Sequence, residues 1–334
     1  MHCAENMLHK LGSRHVACLP TRWHLSRSRA RGYFASPSAS AAEARENRAE
    51  LPTGVNMHWR ESGPQNCASV VLCLHGFPDC SLTWRYQVAP LAAAGHRVVC
   101  VDLRGYPLSP VGLNADSVDA YGAEQVTGDL IALLDALDTK TAALVVGHDW
   151  GANVAWHLAL RAPHRVARLA TINVPHPIIF ADTLRSNVNQ LLKSWYIGAF
   201  QVPLLPEVAM QADNCRILRN LLATDALQAV PADVVEQYVQ QFSRPGAFTG
   251  PVNYYRAAAR GLWAAPRGVY KGPVTVLWGE QDPYLDASMA DVPSHLAPRA
   301  RVVRLPQATH WVHWDEPERV SSELLALLGQ QTTD

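Results

Sequence analysis

The chain has 334 residues, of which 48% are hydrophobic and 17% are charged, and its formal net charge is zero. This length and apolar content are enough for one large domain with a sizeable insertion. The neutral charge balance gives no support to nucleic acid or an anionic membrane as a partner. No uninterrupted apolar stretch approaches the roughly 20 residues that a membrane-spanning helix needs, so no transmembrane segment is predicted.

The first forty residues differ in composition from the rest of the chain. They carry many arginines and serines but a single acid, Glu5. This composition is typical of an organelle transit peptide. A disordered leader, or an extension upstream of the true start, could have the same composition. We therefore predict a leader over residues 1–48, with a cytoplasmic location or, alternatively, import into an organelle.

The cysteines are odd in number, scattered along the chain, and form no C-x-x-C pair. They indicate reduced thiols in a reducing compartment, neither disulfides nor zinc ligands. The seven are Cys3, Cys18, Cys67, Cys73, Cys80, Cys100 and Cys215.

After the leader, short apolar runs alternate with helical patterns. The run SVVLCLHGF precedes a helical SLTWRYQVAPLAAAG, HRVVCVDLRG precedes AYGAEQVTGDLIALLDAL, and TAALVVG precedes a helix that opens at Gly151. The second helix is predicted from its spacing, which places these apolar side chains on one face: Val126, Leu130, Leu133, Leu134 and Leu137. Buried strands that alternate with amphipathic helices predict βαβ units, and hence a mostly parallel sheet with helices on both sides.

The alternation stops at NVPHPIIF. Residues 175–268 read as helical pieces that are rich in Trp, Tyr and Leu and punctuated by prolines. Strand patterns return in PVTVLWGEQD and ARVVRLPQATH, and PERVSSELLALLG closes with a helix. We predict an α/β core over residues 49–174 and 269–334, with an inserted helical cap over residues 175–268.

The stretch LVVGHDWGANVAW joins a strand to a helix and has Asp149 at the middle of its turn. Such a turn pushes its central residue outward, in a strained conformation, at the carboxyl edge of the sheet where ligands bind. Gly147 and Gly151 are expected there because side chains would collide with neighbouring elements. Asp149 alone would equally fit a helix cap, a position that aspartate fills well.

An ionised aspartate on this turn needs no base to become a nucleophile. It reacts poorly with amides and ordinary esters but adequately with a strained or activated sp3 carbon, which gives an ester of its own side chain. Hydrolysis of that ester requires a base for water and donors for the oxyanion. His310 follows the last predicted strand and Asp282 follows the one before it, so we predict this pair as the base and its acid partner.

The loop LHGFPD ends an earlier predicted strand and meets the same edge of the sheet. The backbone N–H of Phe77 and that of Trp150, directly after the nucleophile, are the predicted oxyanion donors. His75 is interpreted as a structural residue of this loop, and Pro78 as a proline that follows a cis peptide bond.

Five motifs in chain order resemble those of the epoxide hydrolases of the α/β-hydrolase superfamily: HGFPD, GHDWGANVAW, FSRPGAFTGPVNYYR, WGEQDPYL and THWVHWDEP. The resemblance extends over residues 52–330 and implies an α/β-hydrolase fold. It also implies a hydrolase that opens hydrophobic epoxides to vicinal diols through an ester on Asp149, with water as the second substrate. No cofactor and no metal ion are expected.

In that family, tyrosines of the cap donate hydrogen bonds to the epoxide oxygen. VNYYR matches the cap motif N-x-Y-R, which assigns Tyr255 as one of these donors. Tyr254 would point about a quarter-turn away on a helix and is interpreted as a packing residue. KSWYIGAFQVPLLPE resembles the branch whose tyrosine precedes F-Q-x-P by a few residues, which gives Tyr196. In another branch the tyrosine immediately precedes F-Q. This chain has Ala199 there, and in that register one donor would be missing.

Two other kinds of function stay open: a dehalogenase, and a receptor that binds without turnover. Haloalkane dehalogenases share the aspartate and histidine but bind a halide through N–H groups, often with an asparagine in place of Phe77. Fluoroacetate-type dehalogenases have an arginine in place of Trp150, and the fold also supports receptors that bind without turnover. Two cap tyrosines favour an oxygen leaving group. The set Asp149, Asp282 and His310 argues against a pure binder, and the absence of a serine on the turn argues against a serine esterase.

Overall fold

The computed structural model describes residues 44–112 and 117–332. Most of the predicted leader lies outside the described residues, as do Cys3 and Cys18, and the predictions made for them stay predictions. The five described cysteines are free. Within these two ranges, no helix combines the length and the apolar character needed to cross a membrane.

An eight-stranded sheet forms the centre of the fold. Its strands in chain order are β1 (Arg45–Glu50), β2 (Asn56–Ser62), β3 (Val70–Leu74), β4 (Arg97–Val101), β5 (Leu144–His148), β6 (Leu169–Ile172), β7 (Val274–Gly279) and β8 (Ala300–Leu305). The spatial order is β1-β2-β4-β3-β5-β6-β7-β8. The pairs β1–β2 and β2–β4 are antiparallel, and every other neighbouring pair is parallel. The predicted mostly parallel sheet is confirmed.

Strand β1 crosses the boundary predicted between leader and core at residue 48. Its sequence RENRAE is polar, and its side chains are exposed or only partly buried. It pairs with β2 from Arg45 opposite Glu61 to Glu50 opposite Asn56. An edge strand of this kind lacks the apolar signature on which strand prediction depends, so the sheet begins inside the segment assigned to the leader.

Strand β3 shows how the sheet is buried on both faces. All five of its side chains are inaccessible to solvent. Val70, Leu72 and Leu74 belong to one core cluster, and Val71 and Cys73 belong to another. Because successive side chains point to opposite faces of a strand, a continuous apolar run is what a sheet covered by helices on both sides requires.

Eleven α-helices lie in the described part of the chain. They are α1 (Val88–Ala93), α2 (Ala123–Ala136), α3 (Trp150–Arg161), α4 (Pro177–Ser186), α5 (Val188–Lys193), α6 (Trp195–Ala199), α7 (Leu205–Thr224), α8 (Ala232–Phe242), α9 (Thr249–Ala259), α10 (Val312–Asp315) and α11 (Pro317–Leu328). The apolar face predicted for α2 is buried along its whole length, from Val126 to Leu137. The helix predicted over SLTWRYQVAPLAAAG is a 3-10 turn at Ser81–Trp84 followed by α1.

The segment between β6 and β7 contains α4 to α9. Residues 175–268 are all described, and they form helices and loops without a strand. Helix α7 is interrupted by a kink at Ala212, Asp213, Asn214 and Cys215, the last three of which have positive φ. A helical cap is predicted for these residues, and two of their tyrosines, Tyr196 and Tyr255, line the same cavity as Asp149.

Candidate active site

Asp149 lies between β5 and α3 with φ 50° and ψ −124°, the strained conformation expected of the turn. A Cβ at Gly147 would lie 2.2 Å from the carbonyl oxygen of Gly151, and one at Gly151 would lie 2.1 Å from that of Leu74. The expected need for glycine at both positions is confirmed. The Asp149 side chain makes no capping hydrogen bond within the described helix α3, so the interpretation as a helix cap is wrong.

The two oxygens of the Asp149 carboxylate face different partners. The backbone N–H of Phe77 donates to Oδ1 at 2.8 Å, and the backbone N–H of Trp150 helps to lower the pKa of this carboxylate. Oδ2 lies 3.6 Å from Nε2 of His310. The Phe77–Pro78 peptide bond is cis, as predicted. The carboxylate therefore lies between the N–H of Phe77 and the predicted base.

Asp282 holds the ring of His310 through a distance of 2.7 Å between Oδ2 and Nδ1. Because an ionised carboxylate only accepts hydrogen bonds, Nδ1 carries a hydrogen and Nε2 is directed at Asp149. Asp282 in turn accepts the backbone N–H groups of Tyr284 at 2.7 Å and Leu285 at 3.0 Å. The structure thus brings together all three residues predicted as nucleophile, acid and base.

The charges of these three residues shift one another's pKa. Burial alone would lower the pKa of His310, but the charges of Asp282 and Asp149 and the hydrogen bond to Asp282 raise that pKa to about 10. Burial alone would raise the pKa of Asp149, but the charge of His310 holds it below its usual range. At neutral pH an imidazolium therefore lies between two carboxylates.

A cavity of about 580 Å³ lies above the carboxylate, and Asp149, Tyr196 and Tyr255 all line it. Many of the other lining side chains are apolar, among them Ile178, Phe180, Ile197, Trp263 and Leu285. The rings of the two tyrosines have their centroids 5.9 Å apart. Burial raises the pKa of both hydroxyls, so both stay protonated and can donate. Ala199 is not among the described residues that line the cavity.

The neighbouring residues Tyr254 and Tyr255 point in different directions. The Tyr254 hydroxyl donates to the carbonyl oxygen of Arg104 at 3.1 Å, and its ring stacks on Trp263. The Tyr255 side chain lines the cavity, and its ring packs edge-to-face on the indole of Trp150 with the centroids 5.0 Å apart. Only Tyr255 of this pair faces the nucleophile.

His75 lies in the loop that carries Phe77. Its Nε2 accepts the backbone N–H of Leu103 at 3.0 Å, so Nδ1 carries the hydrogen that reaches the carbonyl oxygen of Gly76 at 2.8 Å. Both ring nitrogens are therefore engaged with backbone groups, the arrangement expected of a residue that fixes the loop.

Sequence comparison places this geometry in a known family. The family model of the α/β-hydrolase fold matches residues 69–317. Epoxide hydrolase 4 of Homo sapiens is 31% identical over 287 residues, which cover 84% of this chain and 77% of that protein. Epoxide hydrolase 2 of Caenorhabditis elegans is 31% identical over 275 residues, which cover 80% and 75%. The chain belongs to the epoxide hydrolases of the α/β-hydrolase superfamily.

Solved structures of epoxide hydrolases agree with this family assignment. An epoxide hydrolase of Bacillus megaterium in complex with an inhibitor matches with a TM-score of 0.74 at 29% identity. The match covers 85% of this chain and 100% of that one. Epoxide hydrolase A of Mycobacterium thermoresistibile gives a TM-score of 0.73 at 27% identity and covers 87% and 100%. The predicted α/β-hydrolase fold and the resemblance to epoxide hydrolases are both confirmed.

The epoxide hydrolase motifs do not reveal three contacts of the site. Asn173, which follows β6 with φ 49°, donates to Asp282 Oδ2 at 2.6 Å and accepts the backbone N–H of Gly279 at 2.7 Å. His148 places Nε2 2.9 Å from the carbonyl oxygen of His310. The third contact is the indole of Trp150 on Tyr255. The asparagine that follows the apolar run LATI was the available signal, because asparagine tolerates positive φ.

Proposed function

We propose that this chain hydrolyses hydrophobic epoxides to vicinal diols through a covalent ester on Asp149. One observation carries the proposal: Asp149 lines the same cavity as Tyr196 and Tyr255, and its carboxylate also lies beside the His310–Asp282 pair. Curated relatives at about this level of identity are named epoxide hydrolases, which supports the same reaction. The apolar lining of the cavity supports a hydrophobic substrate.

In the first step, Oδ2 of Asp149 attacks one carbon of the epoxide and the bond from that carbon to the ring oxygen breaks. Oδ2 is the oxygen assigned to attack because Oδ1 is held by the N–H of Phe77. The ring oxygen becomes an alkoxide and takes a proton from Tyr196 or Tyr255. Donors fixed in advance in a cavity with little water stabilise this developing charge without reorganisation.

Formation of the ester changes the charge around His310. The negative charge of Asp149, which raises the pKa of His310, disappears when the ester forms. The pKa of His310 therefore falls, and its proton can return to the tyrosinate left by the first step. His310 is then neutral, the form in which Nε2 can accept a proton from water.

In the second step, His310 takes a proton from water while the water oxygen attacks the carbonyl carbon of the ester. The oxyanion forms at Oδ1, where the N–H of Phe77 already donates, and the N–H of Trp150 is its second proposed donor. Collapse of this intermediate breaks the ester bond, and the proton on the newly added oxygen moves to the leaving alkoxide, which departs as the diol. Asp149 returns as a carboxylate beside an imidazolium, which restores the starting charges.

A substrate screen tests this function. Aliphatic, aryl and fatty-acid epoxides are incubated with the protein and the diols are measured by mass spectrometry, while haloalkanes are tested in parallel for halide release. We expect a diol from at least one epoxide class and none from the Asp149→Ala variant. Halide release without any diol would instead identify a dehalogenase, and binding without turnover would identify a receptor.

A further inference from the structure

Three buried side chains that the proposed mechanism does not use face one another behind the active site: Asp79, His148 and His313. One potential ligand atom from each lies within 4.8 Å of the others. Each residue is close in sequence to a group of the site, namely Phe77, Asp149 and His310. The cluster therefore joins the three segments that supply the oxyanion donor, the nucleophile and the base.

The atom that His148 directs into the cluster is a bare acceptor. Its Nε2 lies 2.9 Å from the carbonyl oxygen of His310, so Nε2 must carry a hydrogen. In the neutral ring the other nitrogen, Nδ1, presents a lone pair. It is buried and has no hydrogen-bond partner among the described residues.

His313 contacts Thr83 through its other ring nitrogen. The Thr83 oxygen accepts the indole N–H of Trp314 at 3.1 Å and lies 2.6 Å from Nε2 of His313. With Nε2 as the donor in this contact, Nδ1 of His313 presents a lone pair. The described part of the chain offers Nδ1 no hydrogen-bond partner.

Asp79 completes a set of three acceptors. Its Oδ1 accepts the Tyr238 hydroxyl at 2.6 Å and the backbone N–H of Cys80 at 2.7 Å. Its Oδ2 has no partner within residues 44–112 and 117–332. Two imidazole nitrogens and one carboxylate oxygen thus face one another without a hydrogen between them. A buried polar atom left in this way costs about 1–3 kcal/mol.

A divalent cation accepts all three lone pairs at once, whereas one water molecule has only two hydrogens to donate. Two histidines and a carboxylate are a common ligand set for zinc, with bonds of about 2.0–2.2 Å. The hydrogen bonds from His148 to the His310 carbonyl and from His313 to Thr83 are the outer contacts that orient histidine ligands in metal sites. We propose that Asp79, His148 and His313 bind a first-row divalent metal ion, for which Zn²⁺ is the probe.

The ion has a positioning role, because it touches neither the cavity nor the reacting atoms. It fixes the loop of Phe77, the end of β5 and the start of α10 relative to one another. It also polarises His148, which strengthens the hydrogen bond from Nε2 to the main chain of the base. The distance between Asp149 and His310 thus depends on a site that lies behind both.

Metal analysis of the purified full chain tests the site without reference to activity. Protein made in zinc-supplemented medium should contain about one zinc ion per chain by mass spectrometry of the elements. His313→Gln and Asp79→Asn should lose that zinc. His157→Gln, which changes a buried histidine outside the cluster, should keep it and serves as the matched control. Replacement of zinc by Co²⁺ should give the visible absorption of a low-symmetry site.

Thermal unfolding gives a second readout that does not depend on folding of the variants. Dialysis of the natural chain against a chelator should lower Tm, and added Zn²⁺ should restore it. A protonated Asp79 with one water molecule would also satisfy the three atoms. A natural chain that contains no stoichiometric metal and whose Tm does not respond to Zn²⁺ or Co²⁺ would overturn the proposal in favour of that arrangement.

Discussion

The sheet side and the cap side of the cavity are held in different ways. Asp149 and Asp282 accept hydrogen bonds from backbone N–H groups at the ends of strands, and the position of Asp149 is fixed further by its strained turn. Tyr255 is held mainly by edge-to-face packing, with ring centroids 5.2 Å from Phe77, 4.8 Å from Phe200 and 5.0 Å from Trp150. The backbone fixes the chemistry on the sheet side, whereas side-chain packing fixes the donors on the cap side.

This difference matters because the two sides act at different times in the proposed mechanism. The cap tyrosines stabilise charge while the epoxide opens, and His310 acts only on the ester that follows. Changes on the cap side should therefore slow formation of the ester, and changes on the sheet side should slow its breakdown. Asp149 is the exception, because it takes part in both steps.

The largest effect is expected for Asp149→Ala. Loss of the nucleophile should reduce turnover by on the order of 10⁴-fold or more, since the remaining groups cannot form the ester. Diol formation measured over hours gives the residual rate. Asp149→Asn is a poorer choice, because a neighbouring base can slowly convert it back to aspartate.

The covalent step itself can be traced with heavy-oxygen water. With enzyme in excess over epoxide, the first turnover should give mostly unlabelled diol, and the label should enter the peptide that contains Asp149. Water attacks the carboxyl carbon of the ester in this mechanism, so the oxygen of the diol comes from the side chain. A fully labelled first diol would mean direct attack of water on the epoxide and would exclude the ester.

His310→Gln should separate the two sides most clearly. Ring opening needs no base, so the ester should form at close to the natural rate, whereas its hydrolysis should fall by about 10²–10⁴-fold. Intact-protein mass spectrometry should detect an adduct with the mass of the substrate. Normal multiple turnover by this variant would remove His310 from the mechanism.

Tyr255→Phe should have the complementary effect on the cap side. Removal of one fixed donor costs about 2–4 kcal/mol, so ester formation should slow by about 30- to 1,000-fold with little change in hydrolysis. Tyr196→Phe should behave alike in single-turnover kinetics. Tyr254→Phe is the matched control and should keep nearly the natural rate of ester formation. An unchanged rate in Tyr196→Phe would mean that Tyr196 does not donate to the epoxide oxygen.

The charge of His310 should appear in the pH dependence of stability. Its pKa is about 10 in the folded protein, above the usual value of about 6.5, so folding favours the protonated form. This contribution is fully present below about pH 6.5 and is lost as the pH rises through about 10. The stability difference between the natural chain and His310→Gln should therefore shrink from pH 6 to pH 10 in urea unfolding. The exposed His164→Gln variant is the control and should show no such trend.

The smallest effect is expected for Trp150→Phe. This change shortens the indole that packs edge-to-face on Tyr255 but keeps the backbone of the turn. An aromatic pair contributes about 0.5–1.5 kcal/mol, so its partial loss predicts a decrease of at most roughly 10-fold in ester formation. Hydrolysis of the ester should not change. An equal loss in both steps would mean that the substitution disturbs the turn of Asp149 itself.

The sequence by itself determined the sheet side of the site. Gly147 and Gly151 indicate a local steric constraint around Asp149. A strand that ends in such a turn presents the central residue of the turn at the carboxyl edge of the sheet. The order of Asp149, Asp282 and His310 along the chain then places their strand ends together in a parallel sheet. Each of these signals is contained within a few residues, which is why the pattern could be read without coordinates.

Only the tertiary structure decided what depends on contacts between distant segments. Tyr196, and not Ala199, lines the cavity because of how the helices of residues 175–268 pack, and several registers fit the same local sequence. The polar edge strand β1 carries no apolar pattern and becomes visible only through its pairing with β2. Asp79, His148 and His313 belong to three different motifs, and no spacing within any one of them predicts that their unpaired atoms meet. Side chains so far apart in sequence are brought together by packing, whose outcome local sequence does not encode.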